Sequence, residues 1–238
     1  MSLLELRNVS KRRSLGGRNV LLLQDASLDI DPGELVGVWG LRGSGRTTLL
    51  RLVAGIDAPD AGAVRFDGRE VAGHGERILA REIGYCHKSF PGAQGQPAID
   101  EVLLALLVNG VRGREAHTRA REALERSGAG QLAVRRVSEL DSGERVRLAI
   151  AHALALGPRL LLLDEPVAGV ELDQRDAILL LLRSLADEGI AILMSTGDFS
   201  GLRGADQSLT IGDGHLSGSP KRGLEPVADL TLRRQASG

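Results

Sequence analysis

The stretch "GLRGSGRTT", residues 40–48, fits the phosphate-cradling pattern G-x-x-x-x-G-K-[ST] at every position but one. Arg46 stands where the pattern has lysine. Both are cations, but an ammonium is a compact point charge and a guanidinium is a wide planar fork, so the exchange changes shape. Two further stretches can do chemistry with a phosphate loop. "RLLLLDEP", residues 159–166, is a continuous apolar run ending in the carboxylates Asp164 and Glu165. "LDSGERVRLAIAHALA", residues 140–155, is a short polar segment opening onto helically spaced apolar residues. A loop for phosphate and a pair of carboxylates at a strand end are the parts of a nucleotide site.

The elements that must position these residues follow from hydrophobic period and turn chemistry. "LLELRNVS" and "NVLLLQDASLDI" read as an opening antiparallel pair, joined by the basic turn "KRRSLGGR". "DPGELVGVWG" is a turn and a short buried strand, residues 35–39, and "RTTLLRLVAGI" has helical spacing, so the Gly-rich loop lies between strand and helix. Short strands are expected at residues 63–66 and in "EIGYCH", and residues 98–155 turn helical. "RLLLLDEP" and "IAILMST" read as central parallel strands flanking the helix "LDQRDAILLLLRSLADEG". "ADQSLTIGDGHLSG" reads as a hairpin around "GDG", and the polar tail from Ser219 is expected to be poorly ordered. Alternating buried strands and helices give an α/β core with a mainly parallel sheet and an inserted helical lobe, at about residues 88–155.

Bulk properties exclude several classes. The 238 residues carry 42% hydrophobic and 26% charged side chains, ordinary for a globular domain. A net charge of −1 gives no global field toward nucleic acid or anionic lipid, and "KRRSLGGR" reads as a solvated turn. The one cysteine, Cys86, rules out a disulfide framework within the chain and suits a reducing cytosol. No signal peptide is expected from "MSLLELRNVSKRRS", and runs such as "VLLALLV" fall far short of the roughly 20 residues of a membrane helix. The histidines His74, His87, His117, His152 and His215 show no metal-ligand spacing, and Trp39 reads as strand core.

A phosphate loop, then an L-x-x-G-E segment opening a helix, then a hydrophobic strand ending Asp-Glu-Pro: this order resembles the nucleotide-binding domain of ABC transporters. The resemblance covers residues 3–216, and "IGYCHKSFPGAQGQPAIDEVLLALL" with Glu144 is most similar to the macrolide-export and lipoprotein-release group. It implies a P-loop NTPase (RecA-like) core with an N-terminal antiparallel β subdomain, a helical lobe, and residues 217–238 as a tail. It implies ATP and Mg²⁺ as ligands. Gly40, Arg42, Gly43, Ser44, Gly45, Arg46, Thr47 and Thr48 would form the phosphate loop, with backbone N–H groups at a helix N-terminus and the Thr47 hydroxyl on Mg²⁺. Asp164 would hold Mg²⁺, and Glu165 would be the general base toward the attacking water. In such domains two copies pair head to tail, each ATP lying between one loop and the other copy's signature, here Asp141, Ser142 and Gly143 after Leu140.

Several positions depart from the family pattern. The adenine-stacking aromatic is replaced by Arg13, and the glutamine linking Mg²⁺ and water to the membrane partner is Lys88, which cannot accept a hydrogen bond. Asp141 puts a carboxylate where a phosphate would approach, yet it is also a good helix N-cap. Glu171 replaces a loop aspartate, and Gly197, between Thr196 and Asp198, replaces the switch histidine. An arginine in the loop also resembles the second ATPase half of some sugar importers. The resemblance with these departures implies an ATP-binding subunit with decayed turnover, paired with a more intact ATPase subunit. It would dock on transmembrane permease subunits at the cytoplasmic face of the cell membrane, with no nucleic-acid partner. Two alternatives stay open: a slow but genuine homodimeric ATPase, and a non-hydrolysing structural or regulatory module.

Overall fold

The computed structural model describes residues 2–15, 18–71, 81–88 and 95–218. His74 and the tail from Ser219 lie outside them. Two sheets carry the architecture. The first is antiparallel: β1 (Leu4–Leu15) and β2 (Arg18–Ile30) form a long hairpin, with β4 (Ala61–Phe66) and the two-residue β5 (Arg69–Glu70) on its other side. The second has the order β10-β9-β3-β8-β7-β6, built from β3 (Leu35–Gly40), β6 (Ile83–Cys86), β7 (Leu160–Asp164), β8 (Ala191–Thr196), β9 (Gln207–Gly212) and β10 (His215–Gly218). All its pairs are parallel except β9–β10.

Among the described residues, α-helices with full bounds accompany these strands: α1 (Arg46–Val53), α2 (Ala98–Val108), α3 (Gly113–Arg126), α4 (Ser142–Leu154) and α5 (Leu172–Asp187). The unbroken apolar run in β7 reflects burial on both faces. Leu160 and Leu162 join the core shared by α1 and the antiparallel sheet, while Leu161 and Leu163 face the core built by α2 to α5. All four are fully buried, so no polar position alternates with them. Cys86 ends β6 on the helix side, where its Sγ donates to the Ala149 carbonyl of α4 at 3.3 Å. Burial pushes that thiol up to about 12.

The terminal hairpin turns on Asp213 and Gly214, with φ of 48° and 82°, the left-handed pair that a two-residue turn between twisted strands requires. The opening hairpin departs from expectation. The segment read as a basic turn is mostly strand, with Lys11 opposite Leu23, Arg12 opposite Leu21 and Arg13 opposite Val20. Asp60 holds it there, taking the Lys11 Nζ at 2.9 Å and the Arg12 amide at 2.7 Å. A solvent-facing strand carries charge freely, so the basic residues mark exposure and not a turn. Trp39 is only partly buried, and its ring stacks on exposed Phe199 at 4.2 Å.

Candidate functional site

Strand register gathers the chemistry at one edge. Trp39 is opposite Thr196, Asp164 is opposite Ser195 and Cys86 is opposite Leu163, so β3, β8, β7 and β6 all end on the same side. Gly40, Gly197, Glu165 and Lys88 follow from those ends. Ligand sites of parallel sheets lie outside the carboxyl ends of the strands.

The loop after β3 closes on itself through the Ser44 amide to the Leu41 carbonyl at 3.1 Å. Gly45 has φ 106° and sits against the Leu22 carbonyl, where a Cβ would come within 2.5 Å, so glycine is required for two reasons. The first turn of α1 starts there, with the Leu49 amide bonded to the Gly45 carbonyl at 2.9 Å and no side chain capping the helix. Its leading N–H groups therefore remain available to an anion. Gly43 has φ 84° and open space around it, and Arg42 and Thr47 are exposed. Buried Ser44 Oγ and Arg46 Nη1 have no hydrogen-bond partner among the described residues. Phosphate fits this cradle, because it offers acceptors to donors that otherwise lack them.

Thr47 Oγ1 donates to Asp164 Oδ2 at 2.8 Å, bringing together the two oxygen donors expected for Mg²⁺. Among the described residues no three His, Cys, Asp or Glu side chains form a metal cage. One carboxylate and one hydroxyl suit Mg²⁺, which keeps waters and takes phosphate oxygens for its other positions. The other Asp164 oxygen accepts from Ser195 Oγ at 2.6 Å, and Ser195 in turn accepts from the Glu165 amide at 3.0 Å. Sequence reading missed Ser195. Its signal was there: a hydroxyl inside the apolar strand "AILMST" must find a partner when buried.

Glu165 is engaged on both carboxylate oxygens. Arg46 reaches it through Nη2 at 2.6 Å and Lys88 through Nζ at 2.5 Å, one cation on each carboxylate oxygen. Burial raises the carboxyl, but the Lys88 bond and the Arg46 charge outweigh it and hold the group below the usual carboxylate range. Glu165 also has φ 51°, a left-handed conformation costing about 1–3 kcal/mol for a residue with a Cβ. Arg46 itself is 7% exposed. Its guanidinium extends over Gly197, where a Cβ would lie 3.4 Å from Nη1 and 3.6 Å from Nη2. Lys88 thus pairs with Glu165, and the guanidinium lies beside Gly197 at a distance that leaves room for a Cβ.

The signature stands apart from the loop within the chain. Asp141 caps α4, its Oδ1 accepting from the Glu144 amide at 2.8 Å while Glu144 Oε2 accepts from the Asp141 amide at 3.0 Å. Gly143 packs under Gln174 of α5, whose side-chain amide a Cβ would displace. Ser142 lines the same cavity of about 220 Å³ as Lys88 and Glu165. Arg13 is exposed on β1, and Glu171 precedes α5 without a side-chain capping bond.

The model of the family described as ABC transporter matches residues 23–168. A lipoprotein-releasing system ATP-binding protein LolD from Pseudomonas syringae pv. tomato is 34% identical, over 90% of this chain and 97% of its own. A macrolide export ATP-binding/permease protein MacB from an Azoarcus species is 32% identical over 92% of this chain and 34% of its own. Among solved structures, the dimeric ABC transporter cassette MJ0796 superposes with a TM-score of 0.83 at 27% identity, covering 93% of this chain and 100% of that one. Sheet order, loop geometry and these likenesses agree, and the chain belongs to the ABC transporter family, with the fold of its ATP-binding cassettes.

Proposed function

We propose that this chain is the ATP-binding subunit of an ABC transporter that binds nucleotide and turns it over weakly or not at all. One observation carries the reading: both oxygens of Glu165 are held by cations, Arg46 at 2.6 Å and Lys88 at 2.5 Å. A general base must accept a proton from water, and a carboxylate engaged twice and held low has little basicity left. Gly197 adds no side chain that could orient the water. Binding is a separate matter. The loop amides, Ser44 and Arg46 would receive the phosphates, and Thr47 with Asp164 would hold Mg²⁺, which neutralises phosphate charge when bound.

Pairing follows from where the departures lie. Arg46, Lys88 and Gly197 affect this chain's own site, and Asp141 affects the site it would complete in a partner. A homodimer would be impaired from both sides, so a more intact ATPase subunit is the fitting partner. The MacB relative joins ATP-binding and permease functions in one chain, of which this chain spans 34%. In this reading the second partner is a transmembrane permease subunit, on which the chain docks at the cytoplasmic membrane face. Among the described residues no helix is long and apolar enough to cross a membrane.

The test is steady-state phosphate release by the purified chain with Mg²⁺-ATP. Turnover well below the roughly 1 per second of ordinary enzymes, unchanged by Glu165→Gln, is expected. Ordinary turnover abolished by Glu165→Gln would instead establish the homodimeric ATPase.

A further inference from the structure

Ser195 is 1% exposed and stands opposite Asp164, itself 5% exposed, in the parallel register of β8 and β7. Its hydroxyl makes two bonds of opposite sense. It donates to Asp164 Oδ1 at 2.6 Å and accepts from the Glu165 amide at 3.0 Å. A serine hydroxyl carries one proton, and an amide can only donate to it. With the Glu165 N–H aimed at the oxygen, the proton goes to the carboxylate. The same logic continues at Asp164, whose Oδ2 accepts from Thr47 Oγ1 at 2.8 Å. The Thr47 proton is committed there, so its lone pairs are left for another partner. The three side chains form a chain of set directions from β8 through β7 to the first turn of α1.

We infer that Ser195 is a positioning residue for Mg²⁺: its hydroxyl holds the Asp164 carboxylate, and through it the Thr47 hydroxyl, in the orientation that receives the metal accompanying bound nucleotide. The inference rests on the nucleotide-binding reading and adds to it a residue that would touch neither metal nor phosphate. The terminal torsion of an aspartate is broad, so a carboxylate without braces turns. Here each oxygen has one brace, and Ser195 is the buried one. An apolar side chain in its place would fill the strand interior but would leave Asp164 Oδ1 and the Glu165 amide without their shared partner. Groups that orient a metal's ligands set its affinity by about 10–100-fold. The loop amides that cradle phosphate do not depend on Ser195, so the effect belongs to the metal-dependent part of binding alone.

Fluorescence anisotropy with N-methylanthraniloyl-ATP separates the two parts. Affinity would be measured in EDTA and then across a Mg²⁺ titration, for wild type, Ser195→Ala, Ser195→Thr and Ser127→Ala. Ser127 is a control of equal burial, its hydroxyl donating to the Leu124 carbonyl at 3.0 Å at the end of α3. Thermal unfolding would monitor each fold. Ser195→Ala is expected to raise the Mg²⁺ midpoint about tenfold or more and to leave the affinity in EDTA unchanged. Ser195→Thr keeps the hydroxyl and is expected to restore the wild-type midpoint. Ser127→Ala is expected to melt lower without moving the midpoint. Should Ser195→Ala not fold, Ser195→Cys, with a weaker donor, is expected to raise the midpoint in the same direction. A midpoint that stays or falls in the Ser195 variant overturns the inference. So does an equal loss of affinity in EDTA, a folded Ser195→Thr that keeps the alanine shift, or a shift of the same size in Ser127→Ala. In those cases nucleotide still binds and the subunit reading stands. Failure of wild type to bind the nucleotide at any Mg²⁺ concentration removes the reading and the inference together.

Discussion

Glu165 is held by charge on both oxygens, and this has a pH signature of known sign. Its folded value is depressed, so its stabilising contribution is complete above the unfolded value of 4.5 and is lost as pH falls through the folded one. Glu165→Gln is expected to melt below wild type near neutral pH, because it leaves Arg46 and Lys88 without their carboxylate. The gap should close as the pH drops from about 5 toward 3. Melting curves of the two proteins across that range check this, and a gap independent of pH would count against the ion-pair account. At this scale the sequence was informative about identities and silent about pairing. Arg46, Lys88 and Gly197 were legible as departures from a pattern, each with its own separate meaning. That Arg46 and Lys88 meet on one carboxylate, and that Gly197 lies beside the guanidinium, depends on strand ends far apart in the chain. Lys88 illustrates the point: read alone it was a side chain unable to accept a hydrogen bond, and in the fold it is a partner of Glu165.

Among the elements, α4 has a start that explains its unusual signature. Asp141 and Glu144 form a reciprocal capping box, and Arg135 braces it through Glu144 Oε1 at 2.5 Å. Asp141→Ala is expected to cost about 1 kcal/mol of stability in chemical denaturation, and Asp141→Ser only a few tenths, since a hydroxyl also caps. Equal losses would show that the cap is not what the side chain provides. Elements were more legible than site contacts, because period and turn chemistry act locally. The strand "RLLLLDEP", the helices and the "GDG" hairpin could all be read directly. The opening hairpin was misread for a reason that is not local: Lys11 and Arg12 are extended because Asp60, on the segment before β4, binds them. Composition alone makes three basic residues before a double glycine look like a turn.

At the scale of the molecule, the proposed pairing predicts what accompanies the chain. Purification from native membranes through a tag on this subunit is expected to recover a second cassette with a lysine loop and a switch histidine, together with membrane-spanning chains. Recovery of this cassette alone on the permease would refute the heterodimer. The buried thiol at the end of β6 has a practical consequence for all of these measurements. Cys86 is the chain's one cysteine, buried between the sheet and α4 and protonated far above neutral pH. Thiolate is the reactive form, so maleimide should leave the native chain unlabelled and modify it only when α4 lifts from the sheet. The native fold thus offers a silent background: a cysteine introduced at an exposed position would be the sole reporter, and slow labelling of Cys86 would time the opening of the helical layer.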